Sequence, residues 1–210
     1  MNIKNKIFLN KGLYDNKKVF ENTIDAIKLG INNNLGLYLT VRETKDHELI
    51  IYEDSNLSRL NNVKDKIDDM TYEDLTYLSF YHIPKLKEVL ELINGKVYII
   101  LNLKIKSKNK EIFSILNNYH GKFIILAKTS LLIKLNRKNN NINIGEIMTK
   151  KSLNLFDFLI KSTIKSIDIS FYDKLKIKKM KEDNNILIGY LIDDNDLLKE
   201  YKDIFDYLIV

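Results

Sequence analysis

The sequence has no cysteine and no tryptophan, and its 210 residues include one proline, three histidines and seven glycines. Without cysteine the chain can form no disulfide, no thiolate nucleophile and no cysteine-ligated zinc site, which fits a reducing compartment. We therefore expect a cytoplasmic protein. Seven glycines are few for a glycine-rich phosphate loop, and the sequence contains no such loop. It also contains no Ser-His-Asp triad pattern and no histidine pair at the spacing of a metal site.

Long apolar runs are also lacking. The longest, such as residues 97–101, have the length of a strand and fall far below the roughly 20 residues of a membrane span. The first ten residues carry Lys4 and Lys6 but no apolar core of a signal peptide. The hydrophobic fraction of 45% is ordinary for a folded protein. We predict a single domain over residues 1–210 with no membrane span.

The charge balance is mildly basic, with 34 Lys and Arg against 28 Asp and Glu. Basic residues alternate with acidic ones along the chain, and the densest cluster, residues 174–181, includes the apolar Leu175, Ile177 and Met180. This pattern is typical of a solvated helix face and not of a phosphate-backbone patch. A nucleic-acid-binding domain would rest on charge alone, and we expect no nucleic-acid partner.

Short β-rich runs alternate with helix-sized segments along the chain. The predicted strands are residues 7–9, 35–41, 97–103, 123–126, 142–146, 166–169, 186–192 and 207–210. The predicted helices are residues 23–29, 86–93, 110–119, 130–137, 155–163, 172–182 and 196–201. This order predicts an α/β fold with a parallel sheet, and eight strands close naturally into a compact (β/α)8 TIM-like barrel.

One connection, residues 42–85, is longer than the rest. It contains an extended pair around residues 44–52 and a short helix begun by Thr71 with Asp74 three residues on. Because it follows a strand, we expect this excursion to lie over the C-terminal mouth of the barrel, where active-site loops gather.

A series of motifs follows in a recognisable order. They are Asn10-Lys11-Gly12, Glu21-Asn22-Thr23, Tyr38-Leu39-Thr40, Thr44-Lys45-Asp46-His47, Glu53-Asp54, Leu57-Ser58-Arg59, Met70-Thr71-Tyr72-Glu73-Asp74-Leu75 and Ile83-Pro84-Lys85-Leu86-Lys87-Glu88-Val89-Leu90. Their order resembles the glycerophosphodiester phosphodiesterase family, barrel enzymes that hydrolyse phosphodiesters with a bound divalent cation such as Mg²⁺ or Ca²⁺. The resemblance is good over residues 7–104 and architectural afterwards. Val210 falls in or just after the predicted last strand, so we expect the family's closing segment to be absent.

The resemblance implies that the catalytic positions are substituted. The family's first histidine and its arginine fall on Asn10 and Lys11, and its second histidine falls on Glu53. Its metal-binding carboxylates fall on Tyr38, Thr40 and Asn102. Among the polar residues of the family site, Lys104 and Asp54 are kept.

The substituted residues are poor ligands for a metal. Residues two apart on a strand point to the same face, so Tyr38 and Thr40 aim two neutral hydroxyls where the family aims two carboxylates. Hard divalent cations need anionic oxygens, and the Asn102 amide adds none. We therefore expect no metal and no other cofactor. Glu53 and Asp54 form an adjacent acidic pair, which we interpret as a hydrated turn.

The three histidines do not replace the lost ones. His47 falls in a turn, His82 lies in the long excursion, and His120 lies between a helix and the next strand, at the bottom of a barrel. Two nearby motifs have a purely structural interpretation. Asn22 is expected to cap the first helix, with Asp25 in its first turn, and Gly12 to form a tight turn. Tyr38 is expected to fill the space of the missing metal rather than to contact a ligand.

The sequence thus predicts an inactive barrel of this family, kept to bind an anion, a phosphate-containing small molecule or a protein partner. The alternative is a working metal-dependent phosphodiesterase of lipid and glycerol metabolism with substituted site residues. With the carboxylates gone, two ammonium groups would favour anions. We predict that the candidate ligand-binding residues are Asn10, Lys11, Tyr38, Thr40, Asn102 and Lys104. Lysines are abundant here, so two of them near one site is also consistent with chance.

Overall fold

The computed structural model describes residues 6–106, 111–128, 131, 142–148, 162–171, 174–190 and 195–210. The chain divides into two compact units, Leu9–Lys122 and Met1–Phe8 with Phe123–Val210, and the boundary falls inside the first strand, β1 (Ile7–Asn10). The single-domain organisation expected for residues 1–210 stays a prediction.

The Leu9–Lys122 unit contains most of the described motifs. After β1 its elements are α1 (Ile24–Asn32), β2 (Gly36–Glu43), β3 (Leu49–Ile51), β4 (Asn56–Leu57), α2 (Ser58–Asn61), β5 (Val63–Lys66), a 3-10 turn (Ile67–Asp69), α3 (Tyr72–Leu78), α4 (Leu86–Ile93), β6 (Ile99–Leu103) and α5 (Glu111–Asn117). β2 pairs with β1 on one side and in parallel with β6 on the other, while β3 pairs antiparallel with β2.

The parallel strands β2 and β6 form the buried centre of this unit. Leu37 and Leu39 on β2 and Ile99 and Leu101 on β6 are completely buried. Strands covered by helices lose water contact on both faces, which is why the sequence reads there as nearly continuous apolar runs. The two strands are therefore a fixed frame for the polar residues at their ends.

The helices begin as the sequence indicates, with one correction. Thr23, and not Asn22, caps α1, because the Thr23 side chain accepts the Ala26 amide. Asn22 adopts a left-handed backbone conformation with φ of 61°, which a helix N-cap does not have. Asp25 does lie in the first turn of α1.

The excursion after β2 folds on its own small apolar core. Its hairpin, β2 with β3, turns through residues 44–48, where His47 has a φ of 68°. α3 begins at the predicted Thr71–Asp74 capping box. The core of the excursion consists of Ile50, Tyr52, Leu57, Ile67, Met70, Leu75 and Ile83. This packing makes the excursion an ordered part of the unit, able to hold side chains in fixed positions.

The second unit also alternates strands with helices. Its further elements are β7 (Phe123–Ala127), β8 (Ile144–Ile147), β9 (Ile164–Asp168), a 3-10 turn (Ile169–Phe171), α6 (Lys174–Glu182), β10 (Ile186–Tyr190), α7 (Asn195–Tyr201) and β11 (Tyr207–Ile209). Its strands are parallel, in the order β1, β11, β10, β9, β8 and β7. On α6 Ile177 is buried while Lys176 and Lys178 are exposed, as predicted for a solvated helix. The helices predicted at 130–137 and 155–163 lie almost entirely outside the described residues.

Candidate functional site

Polar side chains gather at the C-terminal ends of β1, β2 and β6. Thr40 on β2 lies directly opposite Asn102 on β6. The Lys11 amide donates to the Tyr38 carbonyl at 3.0 Å, which in a parallel pair places Asn10 beside Tyr38. Because alternate residues of a strand share a face, these side chains lie on one side of the sheet. The structure thus brings the family positions together.

Glu53 lies at the centre of this cluster. Its Oε1 is 2.6 Å from the Lys104 ammonium nitrogen, and its Oε2 accepts the Thr40 hydroxyl. The Arg42 guanidinium donates to the Glu53 carbonyl at 2.8 and 3.2 Å, which fixes the main chain. The interpretation of this position as a hydrated turn is therefore wrong for Glu53, because the excursion packs its side chain inward, where 14% of it is exposed.

The Glu53 carboxylate is held in its ionised form. Burial by itself raises the pKa of Glu53, since a charge is costly away from water. The attraction of Lys104 and the hydrogen bonds from Lys104 and Thr40, with a further contribution from Lys11, outweigh burial and leave the pKa of Glu53 below its ordinary value. An ionised carboxylate bound at both oxygens is a poor proton acceptor.

A second ion-pair cluster adjoins the first. The Glu21 carboxylate, 2% exposed, is 3.3 Å from the Lys11 ammonium and accepts the Arg59 Nη1 at 2.9 Å. The Arg59 Nε also donates to Asp54 at 2.8 Å. Although burial raises the pKa of Glu21, the Arg59 hydrogen bond and the charge of Lys11 lower it overall. Both members of the acidic pair at 53–54 are thus paired with bases.

Three residues of these clusters were missed by sequence reasoning as site residues. Glu21 and Arg59 stand inside motifs that carry the family resemblance, and their place in these motifs could have identified them as site residues. The sequence carried no signal for Arg42, because its contact with Glu53 depends on the path of the excursion in the folded chain. The two clusters together contain four bases and three acids, which gives a net charge of +1. The bases are Lys11, Arg42, Arg59 and Lys104, and the acids are Glu21, Glu53 and Asp54.

Two amide oxygens at the site have no hydrogen-bond partner among the described residues. They are the buried Oδ1 atoms of Asn10 and Asn102. The Asn102 Nδ2 lies 3.5 Å from the Thr40 oxygen, the limit of a weak hydrogen bond. Tyr38 is 3% exposed, and its packing role stays a prediction. The unpartnered oxygens are acceptors that a bound molecule with donor groups would satisfy.

These residues do not fit a divalent cation. The Glu53 carboxylate accepts the Thr40 hydroxyl, and Lys104 already neutralises its charge, so it is not free to bind a cation. Thr40 and Asn102 supply neutral oxygens, whereas Mg²⁺ and Ca²⁺ need anionic ones. Within the described ranges no group of three or more His, Asp or Glu side chains lies close enough together to hold a metal. A cation placed here would also meet the ammonium of Lys104.

We accordingly expect Mg²⁺, Ca²⁺ and Mn²⁺ at millimolar concentration to leave the melting temperature unchanged. A ligand of the native state stabilises it by RT ln(1 + [L]/Kd), which is negligible without a site. Differential scanning fluorimetry with and without EDTA measures this. A saturable rise that EDTA reverses would contradict the argument, and Glu53→Gln and Asp54→Asn would then identify the ligands.

The histidines lie away from the cluster. The exposed His47 ring is 2.8 Å from Glu43, and His82 is 3.0 Å from Glu88. His120 is exposed beside a groove between α4 and α5. The expectation that no histidine replaces the lost catalytic ones stays a prediction.

Comparison with solved structures defines the fold class. The chain is similar to the glycerophosphodiester phosphodiesterase of Thermotoga maritima, with 19% identity, a TM-score of 0.81, and coverage of 97% of this chain and 92% of that one. An Oleispira antarctica phosphodiesterase in complex with the product sn-glycerol-3-phosphate has 18% identity, a TM-score of 0.83 and the same coverages. The fold is therefore the (β/α)8 TIM barrel of phosphodiesterase type, which confirms the predicted class.

Sequence comparison gives the family. The model of the glycerophosphoryl diester phosphodiesterase family matches residues 11–197, and the chain belongs to that family. A glycerophosphodiester phosphodiesterase of Bacillus altitudinis is 34% identical over 113 residues, 49% of this chain and 45% of the relative. One from Caldanaerobacter subterraneus is 35% identical over 104 residues, 44% and 42% of the two chains. The matched segment thus spans less than half the length of these relatives.

No helix in the described part of the chain is both long and apolar enough to cross a bilayer. The cytoplasmic location expected from the composition stays a prediction.

Proposed function

We propose that this chain is a catalytically inactive member of its family, whose barrel is kept to bind an anion, specifically phosphate or a phosphorylated small molecule. One observation carries the proposal. Each carboxylate of the two clusters is held in an ion pair, Glu53 by Lys104 and both Glu21 and Asp54 by Arg59. A carboxylate held in this way offers neither a free base nor a metal ligand.

The chemistry of phosphodiester hydrolysis supports the inactive assignment. Hydrolysis needs a group that moves a proton near neutral pH and a centre that neutralises developing charge. Asn10 and Glu53 stand where the family resemblance places histidines, and an asparagine amide does not titrate. The lowered pKa of Glu53 leaves it ionised and unable to act as an acid near neutral pH.

The balance of charge supports an anionic ligand. The clusters sum to +1, and Lys11 and Lys104 both act on Glu53. The Oleispira antarctica phosphodiesterase carries sn-glycerol-3-phosphate as its product, a phosphate monoester. A ligand of that chemical class would meet ammonium groups and the Thr40 hydroxyl at the ends of β2 and β6. We propose that no metal or other cofactor takes part.

Isothermal titration calorimetry with inorganic phosphate and with sn-glycerol 3-phosphate tests this function. We expect dissociation constants in the micromolar to millimolar range. Lys11→Ala and Lys104→Ala should each weaken binding, because each removes a positive charge at the site. Lys178→Ala, which removes a charge from the exposed face of α6, should not. Absence of binding, or equal effects of all three substitutions, would leave a purely structural or partner-binding role.

An active metal-dependent phosphodiesterase is the second candidate, and the relatives at 34 and 35% identity favour it by their names. It would require the substituted residues at the family positions, or residues elsewhere in the chain, to carry the chemistry. The hydrolysis assay described in the Discussion separates the two candidates.

A further inference from the structure

We propose that the Glu53 carboxylate is a built-in occupant of the anion site: it takes the place of the ligand's anionic group, and a ligand binds by displacing it. This inference rests on the proposed anion-binding function and goes beyond it. It names the residue that sets the affinity. It also explains why a site with several bases carries so small a net charge.

The contacts of Glu53 are those of a recognised anion. One carboxylate oxygen meets the Lys104 ammonium at 2.6 Å and the other accepts the Thr40 hydroxyl. Charge-assisted hydrogen bonds of this kind are how proteins bind phosphate and carboxylate ligands. The same two donors would serve an oxygen of a phosphate group.

The neighbouring side chains hold the Thr40 hydroxyl as a donor. The Asn102 Nδ2 points at the Thr40 oxygen from 3.5 Å, so the hydroxyl proton is directed away from Asn102 and toward Glu53. The amide oxygen of Asn102 has no partner of its own among the described residues. The site therefore keeps a prepared donor for an anion, whichever anion occupies it.

The main chain of Glu53 is fixed separately from its carboxylate. Arg42 donates to the Glu53 carbonyl oxygen at 2.8 and 3.2 Å, and these contacts do not involve the carboxylate. Rotation of the Glu53 side chain can therefore take the carboxylate away from Lys104 and Thr40 while the Glu53 carbonyl oxygen stays bound to Arg42 and, at 3.4 Å, to Lys104. The excursion stays in place through its own apolar core.

The cost of displacement lowers the apparent affinity. The Glu53 carboxylate and a bound phosphate would repel each other if both contacted Lys104 and Thr40. The binding-competent state is therefore the one in which Glu53 has moved away, and only a fraction of the molecules is in that state. An apparent dissociation constant equals the intrinsic one divided by that fraction. Removing the charge of Glu53 should raise the fraction and tighten binding.

The test compares inorganic phosphate binding by calorimetry in four proteins, the unaltered chain and three variants. We expect Glu53→Gln to bind phosphate at least tenfold more tightly than the unaltered chain, and Glu53→Gln with Lys104→Met to lose that gain. The matched control is Asp68→Asn, which also removes one negative charge, acting on Lys106 and Arg42, but which is not a partner of the Glu53 carboxylate. It should change affinity less than threefold.

The outcomes separate the two proposals. If the unaltered chain binds phosphate and Glu53→Gln binds no tighter, or Asp68→Asn gives the same gain, the built-in occupant is wrong while anion binding stands. If only Glu53→Gln binds phosphate, the substitution has created a site that the unaltered chain does not use, and both proposals fail for the unaltered chain. If neither protein binds phosphate, both proposals fail.

A second measurement does not depend on the variant folding. A crystal structure of the unaltered chain soaked in phosphate should show the anion on Lys104 and Thr40, with the Glu53 carboxylate no longer bonded to either. Phosphate bound elsewhere, with the Glu53 pair intact, would overturn the inference.

Discussion

The purified protein should hydrolyse neither glycerophosphocholine nor bis(p-nitrophenyl) phosphate above a buffer control, with Mg²⁺, Ca²⁺ or Mn²⁺ present. A positioned acid or base contributes ~10²–10⁴ to rate, so the loss of two would remove ~10⁴–10⁸ if the effects multiplied. Such effects are not strictly additive, but the metal carboxylates are substituted as well. Release of p-nitrophenol, and of choline by a coupled assay, measures the result.

The same assay shows what would overturn the inactive assignment. Metal-dependent turnover that disappears on substituting Asn10, Glu53 or Asn102 with alanine would mean that these residues carry the chemistry. Turnover that survives all three substitutions would mean that other residues of the chain carry the chemistry, provided that a mock purification from cells lacking the protein shows none. A catalytically active family member run in parallel confirms that the substrates and metals are competent.

Gly12→Ala should destabilise the chain by roughly 3 kcal/mol or more, a large value for one methyl group. Gly12 has a φ of +88°, which costs an L-residue about 1–2 kcal/mol. A Cβ there would also lie 2.8 Å from the Ala26 backbone carbon, closer than real contacts allow. The Leu13 amide donates to the Ala26 carbonyl at 3.0 Å, so this turn cannot simply move away from α1.

The matched control for this substitution is Gly95→Ala. Gly95 also has a positive φ, +72°, but an added Cβ would meet nothing nearer than 3.5 Å. It should cost about 1–2 kcal/mol, the conformational strain alone. Urea unfolding of both variants isolates the contribution of the close approach. Equal losses would show that the contact with Ala26 is unimportant.

Much of the fold could be predicted because its causes are local. Continuous apolar runs of strand length indicate buried parallel strands, and β2 and β6 fall where these runs lie. Thr71 and Asp74 form a capping box because both partners stand within one helical turn. The wrong choice between Asn22 and Thr23 as the cap of α1 has a local cause too, since both residue types favour that position.

The residues at the family positions were predicted from their place in the motifs. In the structure the register of the paired strands places them side by side. Asn10, Tyr38, Thr40 and Asn102 share a face because parallel pairing aligns the strand ends. Side-chain alternation is a property of any strand, so it could be applied before the structure was known.

The ion pairs were decided by tertiary structure alone. Lys104 and Glu53 are 51 residues apart, and Arg59 and Glu21 are 38 apart. No local pattern selects such partners among the 34 basic and 28 acidic side chains of the chain. The excursion returns Glu53 to β2 and β6 because its own apolar core fixes its path. The sequence alone therefore determined which residue types stand at the strand ends. Long-range packing determined that Glu53 pairs with Lys104 and Thr40, since the pairing of charges depends on distances that only the folded chain defines.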